Sequence, residues 1–195
     1  MKRSILFILL LIGVALTSEA QNLHYLVRLD NEHMGDMYAS KTKGSKELYL
    51  MESKIKVEKM IKIDLFYKIE AIFEKNILHL SNALETANGK EQTNSETKKN
   101  ATGYTVKTKK ETKTILNKGI TNNLCKLYFE EPVGITQVWS DTFGQMLSIK
   151  SLGEHRYELK LPNGKSSFYS YFKGICTLVE TEIMFGKITF TLSKS

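Results

Sequence analysis

The amino-acid sequence predicts a mainly β fold: a strongly curved antiparallel meander, half-barrel or open barrel, of about ten to twelve strands, with one short helix at residues 121–130. Three observations lead there. Apolar and polar residues alternate with period two through most of the chain, as strands with one buried face require. Gly and Asn recur between the alternating runs, where turns need them. Only Thr121 to Pro132 breaks that rhythm, with Leu124, Leu127 and Tyr128 at i, i+3 and i+4.

The chain opens on a different kind of segment. Lys2-Arg3 supplies positive charge, and Ile5 to Leu16 is an apolar run broken only by Gly13. Ser18-Glu19-Ala20 then places small residues at the −3 and −1 positions of a cleavage point between Ala20 and Gln21. Residues 1–20 therefore read as a secretory signal peptide, and residues 21–195 as a single secreted or periplasmic β domain. No later stretch approaches the roughly 20 apolar residues of a membrane helix, so no transmembrane span is expected in the mature chain.

Leu23, Tyr25, Val27 and Leu29 mark the first strand, and after a turn at Asn31-Glu32-His33 the chain returns from Met34 to Lys43. Gly44-Ser45 turns it again, and Met51, Ser53, Ile55 and Val57 carry a third strand. From Ile61 to Phe73, alternate residues form one apolar face, while Lys62, Asp64, Lys68 and Glu70 form a wet one. So long a strand with one wet face fits a curved sheet or open barrel better than a compact sandwich. Asn76 leads into a strand through Leu78, Leu80, Asn82 and Leu84. From Glu85 to Lys118 the apolar content falls. Asn88-Gly89 is a hairpin turn there, so two exposed edge strands are expected, with partial disorder as the alternative. On that reading, Asn88 to Lys110 can be deleted without loss of the fold.

Thr121 can cap the expected helix and Pro132 ends it, and the helix would lie over the open face of the sheet. Beyond it, Gln137–Ser140, Gln145–Leu152 and Tyr157–Leu161 read as strands, followed by the turn Pro162-Asn163-Gly164-Lys165. Phe168–Phe172, Ile175–Phe185 and Ile188–Leu192 complete a meander with turns at Lys173-Gly174 and Gly186-Lys187. No repeat or Pro-rich linker divides the chain.

The net charge is +7, and Lys98, Lys99, Lys107, Lys109, Lys110, Lys113 and Lys118 crowd one polar region. Aromatic residues are not interleaved among them, so nucleic acid is not an expected partner and a solvated, edge-blunting face is preferred. The four histidines, His24, His33, His79 and His155, lack metal-ligand spacing. No G-x-S-x-G or phosphate-cradling glycine loop occurs, so no catalytic residue, metal or cofactor is assigned and the protein is not expected to be an enzyme. Cys125 and Cys176 can form a disulfide closing a loop of about 50 residues, or remain two small buried thiols. Cys125 would be reactive only if a cation lowered its pKa.

Glu130 and Glu131 sit where a helix C-terminus would repel them, so a neighbouring Lys or Arg, or else a ligand or partner, is expected to compensate. The structural alternative is preferred. Tyr128, Phe129, Trp139, Tyr169 and Tyr171 could line a ligand pocket between helix and sheet, or simply fill the core.

The second half resembles an uncharacterised family of exported bacterial β proteins. The resemblance is carried by Leu127-Tyr128-Phe129-Glu130-Glu131-Pro132, Gln137-Val138-Trp139-Ser140 and Leu159-Lys160-Leu161-Pro162-Asn163-Gly164-Lys165, with Tyr169-Ser170-Tyr171 and Gly186-Lys187 extending it. It implies a curved meander with a helix near its concave side, a shape similar to the periplasmic lipoprotein-carrier (LolA/LolB-like) half-barrels, and it implies no activity. Two functions remain open for an expected monomer. One is binding of an apolar or lipid-like molecule between sheet and helix. The other is docking on an envelope protein through a sheet edge or the lysine-rich hairpin.

Overall fold

The computed structural model describes residues 19–58, 62–116, 119–183 and 186–193. Residues 1–18 of the expected signal peptide, the strand start at Ile61, Lys118 of the lysine-rich region and the strand end at Phe185 lie outside them.

Eight strands precede the central segment: β1 (Glu19–Leu29), β2 (Glu32–Lys43), β3 (Glu47–Val57), β4 (Ile63–Glu74), β5 (Ile77–Ala87), β6 (Lys90–Lys99), β7 (Tyr104–Lys107) and β8 (Thr112–Ile115). Six follow it: β9 (Gln137–Ser140), β10 (Gln145–Gly153), β11 (Arg156–Lys160), β12 (Ser166–Phe172), β13 (Ile175–Ile183) and β14 (Gly186–Leu192). All belong to one 14-stranded sheet in the order β8-β7-β6-β5-β4-β3-β2-β1-β14-β13-β12-β11-β10-β9. Each neighbouring pair is antiparallel, and the first and last strands of the chain join its two arms, Val27 lying opposite Phe190. The end strands β8 and β9 do not pair, so the barrel stays open.

The alternation seen in the sequence becomes burial. In β3, Tyr49, Met51, Ser53, Ile55 and Val57 face the core while their neighbours face outward. Asp30-Asn31, Lys75-Asn76, Asn88-Gly89, Glu154-His155 and Lys173-Gly174 place both residues at positive φ. Such two-residue loops match the right-handed twist of the strands they join.

Two expectations fail at the polar stretch. It forms three strands rather than two, and the short β7 and β8 help raise the count above ten to twelve. It is also part of the core, because Tyr104 and Val106 are fully buried and Ser95 and Thr97 nearly so. Deleting Asn88 to Lys110 would therefore strip the wall of the barrel. On the inner face of β6, Ser95 and Thr97 stand where apolar side chains would, while most of its other residues are exposed.

The expected helix at 121–130 is absent. A single 3₁₀ turn, Lys126–Tyr128, takes its place. Upstream of it, the backbone pairs with β9 instead of with itself. Trp139 N–H donates to the Asn122 carbonyl at 2.9 Å, and Leu124 N–H donates to the Trp139 carbonyl at 3.1 Å. The Asn123 side chain takes the Lys126 N–H at 3.1 Å, a local bond of the kind that competes with helix formation. A sheet of this many strands encloses more volume than its own side chains fill. The chain fills part of it with this segment: Ile120, Asn123, Cys125, Lys126, Leu127, Tyr128 and Phe129 are all buried.

Candidate functional site

Tyrosines on the sheet tether the central segment from several sides. Tyr171 donates to the Leu127 carbonyl at 2.8 Å, and Ile120 N–H donates to the Tyr104 hydroxyl at 2.9 Å. Tyr49 donates to Glu130 at 3.0 Å and Tyr157 to Glu131 at 2.8 Å. The Tyr67 hydroxyl meets that of Thr142, on the β9–β10 turn, at 2.6 Å. Burial raises the phenol pKa of Tyr49, and the charge of Glu130 raises it further. These hydroxyls therefore stay protonated donors.

Glu130 and Glu131 are held by the sheet. Lys41 reaches Glu130 at 2.6 Å, and His155 Nδ1 lies 3.0 Å from both oxygens of Glu131. Burial pushes the Glu130 pKa up, but the hydrogen bond and charge of Lys41, with Lys126 and Tyr49, outweigh it and leave the pKa below its usual value. A neighbouring lysine does compensate, as expected, although no helix dipole is involved. Beside them lies a residue that sequence reasoning passed over. Lys126 is 1% exposed, and its ammonium donates to Asn76 Oδ1 at 2.5 Å and to the Thr121 carbonyl at 3.0 Å. The same ammonium sits 4.1 Å from the Phe73 ring centroid. Desolvation lowers its pKa.

The central segment fills only one end of the barrel. Toward the other end, a cavity of about 440 Å³ opens between the two arms. Met37, Ser53, Tyr67 and Glu85 lie opposite one another in a single cross-strand row along one wall. Leu159, Leu161, Val179 and Phe190 supply the facing wall, and Leu124 and Tyr128 of the central segment form the floor. Of the residues expected to line a pocket, Tyr128 and Tyr169 do so. Phe129, Glu130, Glu131, Trp139 and Tyr171 do not line it. Phe129 packs edge-on against Tyr49, and Tyr171 against Tyr157. Trp139 is 1% exposed, with an indole N–H that finds no acceptor. For these three, core packing is the observed role. The wall residues carried a signal in the sequence, since the alternation puts Leu65 and Tyr67 on one face of the long strand. Nothing in that pattern says which of them meet empty space.

Asp141 lies behind the cavity, 1% exposed, accepting from Asn123 Nδ2 at 3.1 Å on both oxygens. Burial dominates and raises the Asp141 pKa to about 6. Ser95, on the opposite arm of the sheet, donates to the Asp141 carbonyl, so this turn closes the seam that the backbone leaves unpaired.

Cys125 and Cys176 are free, buried thiols, and the disulfide left open by the sequence is not formed. Burial raises both pKa values, that of Cys176 to about 12, which makes neither a ready nucleophile. Among the described residues, no group of three or more His, Cys, Asp or Glu is placed to hold a metal ion. Of the clustered lysines, Lys107, Lys109 and Lys113 pair with Glu96, Glu91 and Glu111. Among the described residues, no helix is long and apolar enough to cross a membrane.

Residues 25–193 match the family model described as a domain of unknown function, DUF6134. The chain belongs to this family. No curated protein matches the chain. Among solved structures, the DUF6134 chain is similar to a beta-barrel-like protein of domain of unknown function DUF1849 from Brucella abortus. The TM-score is 0.53 at 9% identity, with 93% of this chain and 98% of the other covered. A likeness at that identity supports the barrel-like fold and carries no activity with it.

Proposed function

We propose that this DUF6134 protein is an exported, non-enzymatic binding protein that holds one apolar or lipid-like molecule in its barrel. The observation that carries the proposal is the cavity of about 440 Å³, lined mainly by apolar side chains from both arms. That volume falls within the range of small-molecule sites. At roughly 30 Å³ per water-sized group it holds about fifteen non-hydrogen atoms, which matches one acyl-length chain. Oriented hydroxyls at Ser53, Tyr67 and Thr142 supply the few polar contacts such sites use to fix a head group. Docking on an envelope protein ranks second, since glutamates pair three of the edge lysines, Lys107, Lys109 and Lys113.

Native mass spectrometry of protein purified from its own envelope tests the reading, with a Leu65→Trp variant as control. Leu65 is half-buried at the cavity wall, and an indole there takes up a large part of the cavity and obstructs a chain lying along it. The expected result is a co-purified small molecule on the native chain and its loss, at unchanged melting temperature, from the variant. A ligand-free native chain that also fails to take up added fatty alcohols would overturn it.

A further inference from the structure

Glu85 is the one charged side chain among the described residues lining the cavity. It faces inward because it lies directly opposite Tyr67 and two residues from the buried Ala83, and side chains in those relations share a face. Among the described residues its only hydrogen bond is a long one, 3.4 Å from the Thr93 hydroxyl, and no lysine, arginine or histidine pairs with it. The contrast with Glu130, met by Lys41 and Tyr49, and Glu131, met by His155 and Tyr157, is direct. Glu85 is part-buried, and its carboxylate stands at the wall of a mainly apolar space with no cationic partner among the described residues. The aromatic rings of Tyr67 and Phe143 line the same cavity and offer faces to which a cation is drawn.

Building on the binding reading above, we infer that the ligand is a single-chain amphiphile with a cationic, amine-type head, the ammonium paired with Glu85 and the chain lying against Leu159, Val179 and Phe190. Tail and head then meet opposite walls, one apolar, the other polar. The positive net charge of the chain does not oppose this, because repulsion from distant lysines is screened over about 8 Å at physiological ionic strength while Glu85 acts at contact.

Calorimetric titration of the purified protein with decyltrimethylammonium, decanol and decyl sulfate, each below its micellar concentration, tests the head-group preference at fixed chain length. The cation should bind about tenfold or more tighter than the alcohol, as an ion pair with Glu85 beside the Tyr67 and Phe143 rings implies, and the sulfate weakest. Glu85→Gln should bring the cation down to the level of the alcohol and leave the alcohol unchanged, and Glu85→Lys should make the sulfate the preferred ligand. Equal or tighter binding of the sulfate by the unmodified protein overturns the inference, with no variant needed. So does a cation preference that survives in Glu85→Gln. Either result leaves the cavity reading standing if decanol still binds. If none of the three binds, the cavity reading itself fails and takes this one with it.

Discussion

Asp141 and Lys126 are two buried ionisable groups of opposite sign, and each makes a separate prediction. The Asp141 carboxyl is nearly inaccessible, and burial raises its pKa to about 6. An acid whose folded pKa is raised binds its proton more tightly when folded, so this group costs stability as pH rises from about 4 to about 6. Two pKa units correspond to about 3 kcal/mol. Asp141→Asn removes that titration. Relative to the unmodified protein, the variant should gain up to about 3 kcal/mol between pH 4 and pH 7, as read by urea unfolding at each pH. A stability difference independent of pH would contradict this. Lys126 sits where desolvation already penalises its charge, so its bonds to Asn76 and Thr121 must offset that penalty. Lys126→Met keeps the contact with Phe73 but leaves both acceptors without their donor, and should cost about 2 kcal/mol in urea unfolding. An unchanged or raised midpoint would show that the ammonium contributes nothing net.

The central segment is the element on which the sequence misled. Leu124, Leu127 and Tyr128 have helical spacing, and a helix lying on a sheet would bury that one face. Here the sheet surrounds the segment, so Lys126, which helical geometry would turn to solvent, is as buried as Leu127. Spacing distinguishes buried from exposed faces only where an exposed face exists. The competing backbone partner, Trp139, lies on a later strand, and no local pattern around Thr121 to Pro132 announces it. The strands were legible for the opposite reason: the sheet has a wet side, and Tyr49, Met51, Ile55 and Leu65 report the dry one directly. The tethering of the segment can be measured. Tyr171→Phe leaves the buried Leu127 carbonyl without its side-chain donor and should lower stability by about 1–2 kcal/mol. No loss beyond about 0.5 kcal/mol, the usual range of a neutral surface change, would mean the segment is held by packing alone.

For the whole molecule, the open barrel is filled by its own chain at one end and left hollow at the other. That asymmetry was beyond the sequence, because Phe129, Trp139 and Tyr171 are chemically as fit to line a pocket as Tyr128 and Tyr169. What separates them is how far the central segment reaches along the barrel. The family match and the barrel-like structural neighbour concern the fold, so the proposed function rests on the hollow end alone. Met37 and Met51 line it, while Met34, part-buried against the core, lines a separate hollow with Lys54 and Lys56 instead. The most direct measurement is therefore a methyl NMR titration of protein carrying ¹³C-methyl methionine, with decyltrimethylammonium as ligand. Saturable shifts of the Met37 and Met51 methyls with Met34 unmoved are the predicted result; shifts confined to Met34, or none at all, would contradict a binding cavity inside the barrel.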